Sequence, residues 1–285
     1  MSLRDVNNWF VDLGGGTRVA LVVAGTFRSD AGVLLGHVPW VRWEPLVSNE
    51  IDKQNRLQQA LNCLLVETPA GRVLVETGIG ERLDEKTSRV RCVEGRPILD
   101  AMRVARFDPQ TVNIVALSHL HFDHAGGLLD ADGQRAFANA KIVAQRAEWE
   151  IAFDDNPRIV AGYDQAELRL VHRFAETDSV DGDLELMRGV TVIQTGGHTA
   201  GHQAIVVRGR AGTVGFFGDL CMRPWSADPT WLPSFDDFPL RSVEAKRELF
   251  SRAADEQWRI VLSHEPVRPI GRIERDGNGF RYVAD

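Results

Sequence analysis

The run Val112-Asn113-Ile114-Val115-Ala116-Leu117-Ser118-His119-Leu120-His121-Phe122-Asp123-His124 reads as a buried strand that stops in a nest of polar side chains. Its apolar half has the length and β-branched content of a core strand. Alternate side chains of an extended chain share a face, so His119, His121 and Asp123 point the same way. His124 has the other parity, but Ala125-Gly126-Gly127-Leu128-Leu129 follows like the first turn of a helix. A turn there swings the fourth group toward the same point. Imidazole nitrogens and carboxylate oxygens are ligands of zinc and similar first-row metals. A loop that is merely histidine-rich would show this spacing on the order of once in a few thousand chains of such composition. The stretch therefore predicts a metal site at a strand end, and the rest of the chain must supply further ligands.

Composition narrows the setting. The chain of 285 residues can bury a full core, and 44% hydrophobic with 26% charged residues is the balance of a soluble globular protein. A net charge of −7 leaves no basic footprint, so no nucleic-acid partner is expected. Cys63, Cys92 and Cys221 are odd in number and far apart. They make neither a disulfide framework nor a thiolate zinc site, which favours a reducing, cytoplasmic location. The first ten residues lack the apolar core of a signal peptide, and the aliphatic run Val19 to Val23 is too short to span a bilayer. No membrane partner is expected.

Outward from the organising strand, residues 18–27, 60–67 and 72–77 read as strands, the last two joined by the turn Thr68-Pro69-Ala70-Gly71. Residues 32–47 are apolar but broken by Gly36, Pro39 and Pro45, and read as an irregular segment. That segment is expected to pack flat on the core, with a lid or a homodimer contact over 28–58 as alternatives. Residues 51–59 read as a polar helix-like patch and 81–96 as a solvated loop. Helices are expected over 97–107, 145–153 and 243–256. Short strands are expected over 141–144, 184–187, 190–195, 203–208, 213–217 and 259–263, with a hairpin about Asp276-Gly277. Strands outnumber helices, and the helices come singly between groups of strands. The pattern favours an α+β architecture, two mixed sheets packed face to face with helices outside, in one domain over 1–285.

Histidines number only eight, so their positions carry weight. Residues 190–195 run into Gly196-Gly197-His198-Thr199-Ala200-Gly201-His202, 213–217 into Gly218-Asp219, and 259–263 into His264. Each polar residue lies just past an apolar strand, as His119 does, so strand ends on one edge of a sandwich can bring them to one cleft. A lone His198 reads as a hydrogen-bonded loop histidine and a lone Asp219 as a turn aspartate, but glycines on both sides of His198 let a backbone approach closely and favour a ligand there. As candidates, His198, Asp219 and His264 are read as ligands, and His202 as a residue behind them that orients the loop. His37 and His172 lack such a setting.

The ordered set His119-x-His121-x-Asp123-His124, Gly197-His198-Thr199-x-Gly201-His202, Gly218-Asp219 and Ser263-His264 resembles the metallo-β-lactamase superfamily over essentially the whole chain. The resemblance implies a four-layer αββα sandwich with two divalent metal ions, commonly Zn2+, at one edge. Carried across, His119, His121 and His198 hold one ion, Asp123, His124 and His264 the other, and Asp219 bridges. The usual aspartate after an early strand is Glu76 here, a residue behind the ligands. An acidic residue at 219, with Cys221 two positions away, is similar to the lactonase, thioesterase and phosphoesterase branches rather than to the cysteine-ligand β-lactamases. The run 197–203 is most similar to the acyl-homoserine lactonase and organophosphate hydrolase relatives. Those lactonases carry a tyrosine three residues after the bridging aspartate, where this chain has Met222.

The implied function is dinuclear zinc-dependent hydrolysis of an ester, lactone or phosphoester through a metal-bridging hydroxide, since coordination lowers the pKa of water to about 7. Asp123 is the candidate for handling the proton. Phe122, Met222, Trp225 and Trp231 are expected to line an apolar wall for a small hydrophobic substrate, and Arg223 to hold an anion there or to be exposed. A mononuclear iron oxygenase of the same superfamily and a metallo-nuclease are the competing readings. They are distinguished by metal content and by the acidic charge.

Overall fold

In the computed structural model, which describes residues 9–174 and 177–285, two seven-stranded sheets stack face to face. The first contains β1 (Phe10–Gly14), β2 (Thr17–Asp30), β3 (Arg56–Thr68), β4 (Gly71–Val75), β5 (Ile114–Ala116), β6 (Lys141–Gln145) and β7 (Thr177–Val180), in that spatial order. The second contains β8 (Leu184–Met187), β9 (Val190–Gln194), β10 (Gln203–Gly209), β11 (Gly212–Phe216), β12 (Arg259–Val261), β13 (Ile270–Asp276) and β14 (Gly279–Ala284). Both sheets are mixed. β4 to β7 run parallel to one another, as do β11 and β12, and the other pairings are antiparallel.

The period of two explains the layers. Val19, Leu21 and Val23 of β2 face the second sheet, where they meet Val192, Ile205 and Phe216. Val22 and Ala24 turn the other way, toward α4 (Ile98–Val104), into an outer core that α6 (Arg146–Ala152) and α7 (Gln165–Phe174) complete farther along the sheet. In β10, Ile205 and Val207 face inward while Ala204 and Val206 pack under α8 (Pro239–Asp255). Burying both faces requires helices on both outer sides, which gives the αββα order. Among the described residues, no helix is long and apolar enough to cross a membrane. The three cysteines are free thiols.

Several segments differ from the sequence expectation. Residues 32–47 are not irregular: they form α1 (Ala31–Leu35) and α2 (Trp40–Val47). Asp30 caps α1 by accepting from Val33 N, so Gly36 and Pro39, which suggested a loop, mark helix ends, while Pro45 lies within α2. Leu34, Leu35, Val38, Trp43 and Val47 pack with Leu57 and Trp231 in a small core of their own. Residues 51–59 are not helical: β3 begins at Arg56, pairing with Asp30. A short helix, α3 (Glu85–Val90), interrupts 81–96, and α7 occupies part of the poorly patterned 160–183.

α8 places Ser242, Lys246, Leu249, Phe250 and Ala253 on its buried face at helical spacing. Lys246 is the exception among them in chemistry. Its Nζ donates to Trp231 O (2.8 Å), and burial depresses its pKa from 10.5 to about 8. Below that value the buried cation costs roughly 3 kcal/mol, at 1.36 kcal/mol per pKa unit. Between about pH 8 and 10.5 the unfolded chain keeps a proton that the folded one has lost, so stability rises with pH across that window. Urea unfolding of Lys246→Met should lack that alkaline gain relative to the native protein. An identical pH profile in both would sink this account of Lys246.

Candidate metal centre

Parallel strands deliver the site because their carboxyl ends leave one edge together. β5 ends at Ala116, after which Leu117 N donates to Val143 O (3.0 Å) and Ser118 N to Glu76 Oε1 (2.8 Å). His119 to His121 stay extended, and α5 (Phe122–Ala125) then turns the chain. β11 runs into Asp219, and β12 into His264. The two sheets are tied where these ends meet: Gln203 N donates to Ser118 O (2.8 Å), Asn62 N to Ser263 O (3.1 Å) and Ala60 N to His264 O (3.0 Å).

Two sets of donor atoms result. His119 Nε2 lies 3.0 Å from His121 Nδ1, and His198 Nε2 lies 3.1 Å from His119 Nε2 and 3.2 Å from His121 Nδ1. In the second set His264 Nε2 is 3.3 Å from His124 Nε2, and Asp123 Oδ2 is 3.8 Å from each of those nitrogens. Asp219 stands between them. Its Oδ1 is 3.0 Å from His264 Nε2 and 3.2 Å from His124 Nε2, while Oδ2 is 3.5 Å from His198 Nε2. Strand parity alone placed Asp123 with His119 and His121; the turn at Phe122 carries it to the second set instead.

The far side of each ring explains why these nitrogens face inward. His198 Nδ1 meets Asp236 Oδ1 (2.8 Å), His264 Nδ1 meets Ala60 O (2.8 Å), and His124 Nδ1 lies 3.2 Å from Glu76 Oε2. Carbonyl and carboxylate oxygens only accept, so Nδ1 carries a proton and Nε2 is the atom turned to the other donors. Glu76 does this from a left-handed backbone, φ 64°, a conformation that costs on the order of 1 kcal/mol outside glycine. His202 Nδ1 meets Thr195 Oγ1 (2.6 Å), and its Nε2 accepts from Asp219 N (3.3 Å), so it supports the backbone of Asp219.

Electrostatics fit cations at both sets. Burial, and then the neighbouring imidazoles, hold His119 and His121 well below the ordinary histidine pKa, which keeps their lone pairs free. Burial opposes charge on His124 too, but Asp219, Asp123 and Glu76 outweigh it and raise its pKa well above the usual value. Burial pushes Asp219 up, yet His124 and His264 hold it well below the carboxylate range. Three inward ring nitrogens 3.0–3.2 Å apart, one from each histidine, converge on a point where one cation can be shared. Nitrogens at 2.0–2.1 Å from a tetrahedral zinc ion would sit about 3.3 Å apart. The donors therefore suit a zinc-sized ion at the first set, and the mixed carboxylate and imidazole donors suit one at the second.

The centre floors a cleft of about 260 Å3. Phe122 and Met222 line it, together with Phe27, Val33, Leu34 and Phe235. Trp225 and Trp231 do not line it. They pack with α1 and α2 in the side core, because the chain after Asp219 turns inward there. Arg223 is neither exposed nor an anion holder in the wall. It is buried, ion-paired with Glu50 and with Glu265 (3.0 Å), and donates to Gln58 O (2.8 Å). His37 and His172 are exposed and lie outside both donor sets.

Two supporting residues escaped the sequence reading. Glu148 is fully buried: Oε1 accepts from Leu120 N (2.9 Å) and Tyr163 Oη (2.8 Å), and Oε2 from Thr199 Oγ1 (2.5 Å) and Gly201 N (3.2 Å). It joins the loop of His119 and His121 to the loop of His198. A glutamate on the buried stripe of α6, one turn before Ala152, was the available signal. Asp236, which holds His198, lies in a coil segment with no such signal.

The family model described as "Metallo-beta-lactamase superfamily" matches residues 59–264. An N-acyl homoserine lactonase from a Bacillus species is 32% identical over 156 residues, 51% of this chain and 57% of that protein. The N-acyl homoserine lactonase AttM of Agrobacterium fabrum is 29% identical over 179 residues, 59% of this chain and 64% of that protein. The chain thus spans somewhat over half the length of these relatives. A probable metal-dependent hydrolase from Staphylococcus aureus superposes with a TM-score of 0.86 at 23% identity, over 96% of this chain and 99% of that one. AidC, a dizinc quorum-quenching lactonase in complex with a product, superposes at 0.80 and 20% identity, over 97% of both.

Proposed function

The chain belongs to the metallo-beta-lactamase superfamily, and from that premise we propose that it is a metal-dependent hydrolase that opens a lactone or cleaves a related ester. The observation that carries the reading is the pair of donor sets sharing Asp219 at the floor of an apolar cleft. Two divalent ions, zinc by their donors, would be held by His119, His121 and His198 and by Asp123, His124 and His264, with Asp219 between. When bound, they supply an acidified water and an electrophilic centre. The partial matches to N-acyl homoserine lactonases support a lactone as substrate.

The chain's own residues do the rest. Asp236, Glu76 and Ala60 engage Nδ1 of His198, His124 and His264 and so turn Nε2 of each ring toward the donor sets. Asp123, partly exposed to the cleft, would take the water's proton on the carboxylate oxygen that is not turned to His124 and His264, and return it to the alkoxide that leaves when the acyl C–O bond breaks. No phenol shares this task, since Tyr163 Oη is committed to Glu148 and Tyr282 Oη to Arg268 O. Met222, on the wall, carries no proton to give. Phe27, Phe122 and Phe235 exclude water from around the scissile bond.

Metal analysis joined to a substrate panel tests the reading. About two zinc ions per chain are expected, with lactones opened faster than phosphotriesters, activity lost to a chelator and restored by zinc. A single iron ion with oxygen consumption, or no turnover on the panel with two ions bound, would refute it.

A further inference from the structure

Arg91 lines the cleft with a charge that the fold leaves unanswered. Its backbone is fixed at both ends: its N donates to Thr87 O (2.9 Å), and its O accepts from Arg28 N of β2 (2.7 Å). From there the guanidinium lies over the ring of Phe122, its central carbon 4.4 Å from the centroid. Phe122 itself stands between the candidate ligands His121 and Asp123 and packs edge-on against Phe27 at 6.1 Å. Stacking on a ring uses the face of a guanidinium and leaves its in-plane N–H donors for an acceptor.

Among the described residues, no carboxylate within 4.0 Å and no hydrogen-bond acceptor meets the Arg91 side chain. The other arginines nearby are committed. Arg158, also on the cleft, donates to Ser234 O (3.0 Å) and lies in the field of Asp237, and Arg223 is buried against Glu50 and Glu265. Of the cleft's carboxylates, Asp123 and Asp219 turn toward the histidines. The wall thus offers a planar cation stacked on Phe122, one ring away from the candidate metal centre, in a cleft also lined by Val33 and Leu34. That is the arrangement that takes a carboxylate edge-on through two parallel N–H bonds.

We propose that Arg91 recognises a carboxylate on the substrate, so that the cleft takes an ester or lactone bearing a second, anionic group beyond the scissile carbonyl. This rests on the reading of the cleft as the hydrolytic site. The test uses the full-length, zinc-loaded protein and matched ester pairs that differ only in ending with a methyl or a carboxylate. The carboxylate member should be preferred by about tenfold or more in kcat/KM, chiefly through KM. Arg91→Gln should lower kcat/KM for that member about tenfold more than for its neutral partner, and Arg91→Lys should recover only part of the difference.

A binding measurement separates this proposal from the hydrolase reading. By calorimetry, glutarate should bind the zinc-loaded protein about tenfold or more tightly than butyrate, and Arg91→Gln should erase that difference. Should no ester turn over, the hydrolase reading fails while the glutarate comparison still decides the role of Arg91. Equal binding of the two acids, or equal losses on both esters in Arg91→Gln, would overturn it.

Discussion

Asp219→Asn will remove turnover and part of the metal complement while leaving the fold in place. Asp219 has one oxygen toward His124 and His264 and the other toward His198, so it serves both donor sets. Asparagine keeps the shape, but its NH2 cannot coordinate and would aim a donor where a ligand is needed. We expect kcat/KM to fall by about three orders of magnitude or more, about 4 kcal/mol of transition-state stabilisation. Metal content should fall from about two ions per chain toward one. The backbone link from Asp219 N to His202 does not involve the changed group, so circular dichroism should be unaltered. Native rates with two ions retained would show that Asp219 does not bridge.

Glu148→Ala should be the most damaging change outside the ligands. It strands Leu120 N, Gly201 N and the hydroxyls of Tyr163 and Thr199, all of which now end on one buried carboxylate. Removing one side of such a buried charged network costs about 3–5 kcal/mol, a fall of roughly 10 °C in Tm for a chain of this size. Because Glu148 ties the loop of His119 and His121 to the loop of His198, the effect should extend beyond stability. Glu148→Gln, which keeps the shape, should weaken zinc at that set by about 10–100-fold while sparing the set built on His124 and His264. Competition with a chromophoric chelator reads this directly. Equal weakening of both ions would mean that Glu148 acts only on the fold.

The parts of the site legible in the sequence were those whose chemistry is local. His119, His121, Asp123 and His124 are contiguous, and His198, Asp219 and His264 each sit at the end of an apolar run, so strand period and residue type sufficed to nominate them. Which set the Asp123 carboxylate joins depended on the turn at Phe122, which strand parity alone does not anticipate. Glu148 and Asp236 were hidden because their partners come from segments 15–53 and 38 residues away.

Trp225 and Trp231 were misplaced for a related reason. Aromatic residues after Asp219 suit a wall or a core equally, and only α1 and α2 show which. Those helices were obscured by Gly36, Pro39 and Pro45, whose positions at helix boundaries and within one short helix break the apolar period. The sheets were more readable, since Val19 to Val23 and Ala204 to Val207 alternate between two buried faces.

Anomalous diffraction at the zinc edge, from crystals of the metal-loaded protein, tests the central claim most directly. Two peaks about 3.5–4 Å apart are expected, one enclosed by His119, His121 and His198, the other by Asp123, His124 and His264, with an oxygen of Asp219 on each. A single peak, or His198, Asp219 or His264 turned away from both, would contradict it.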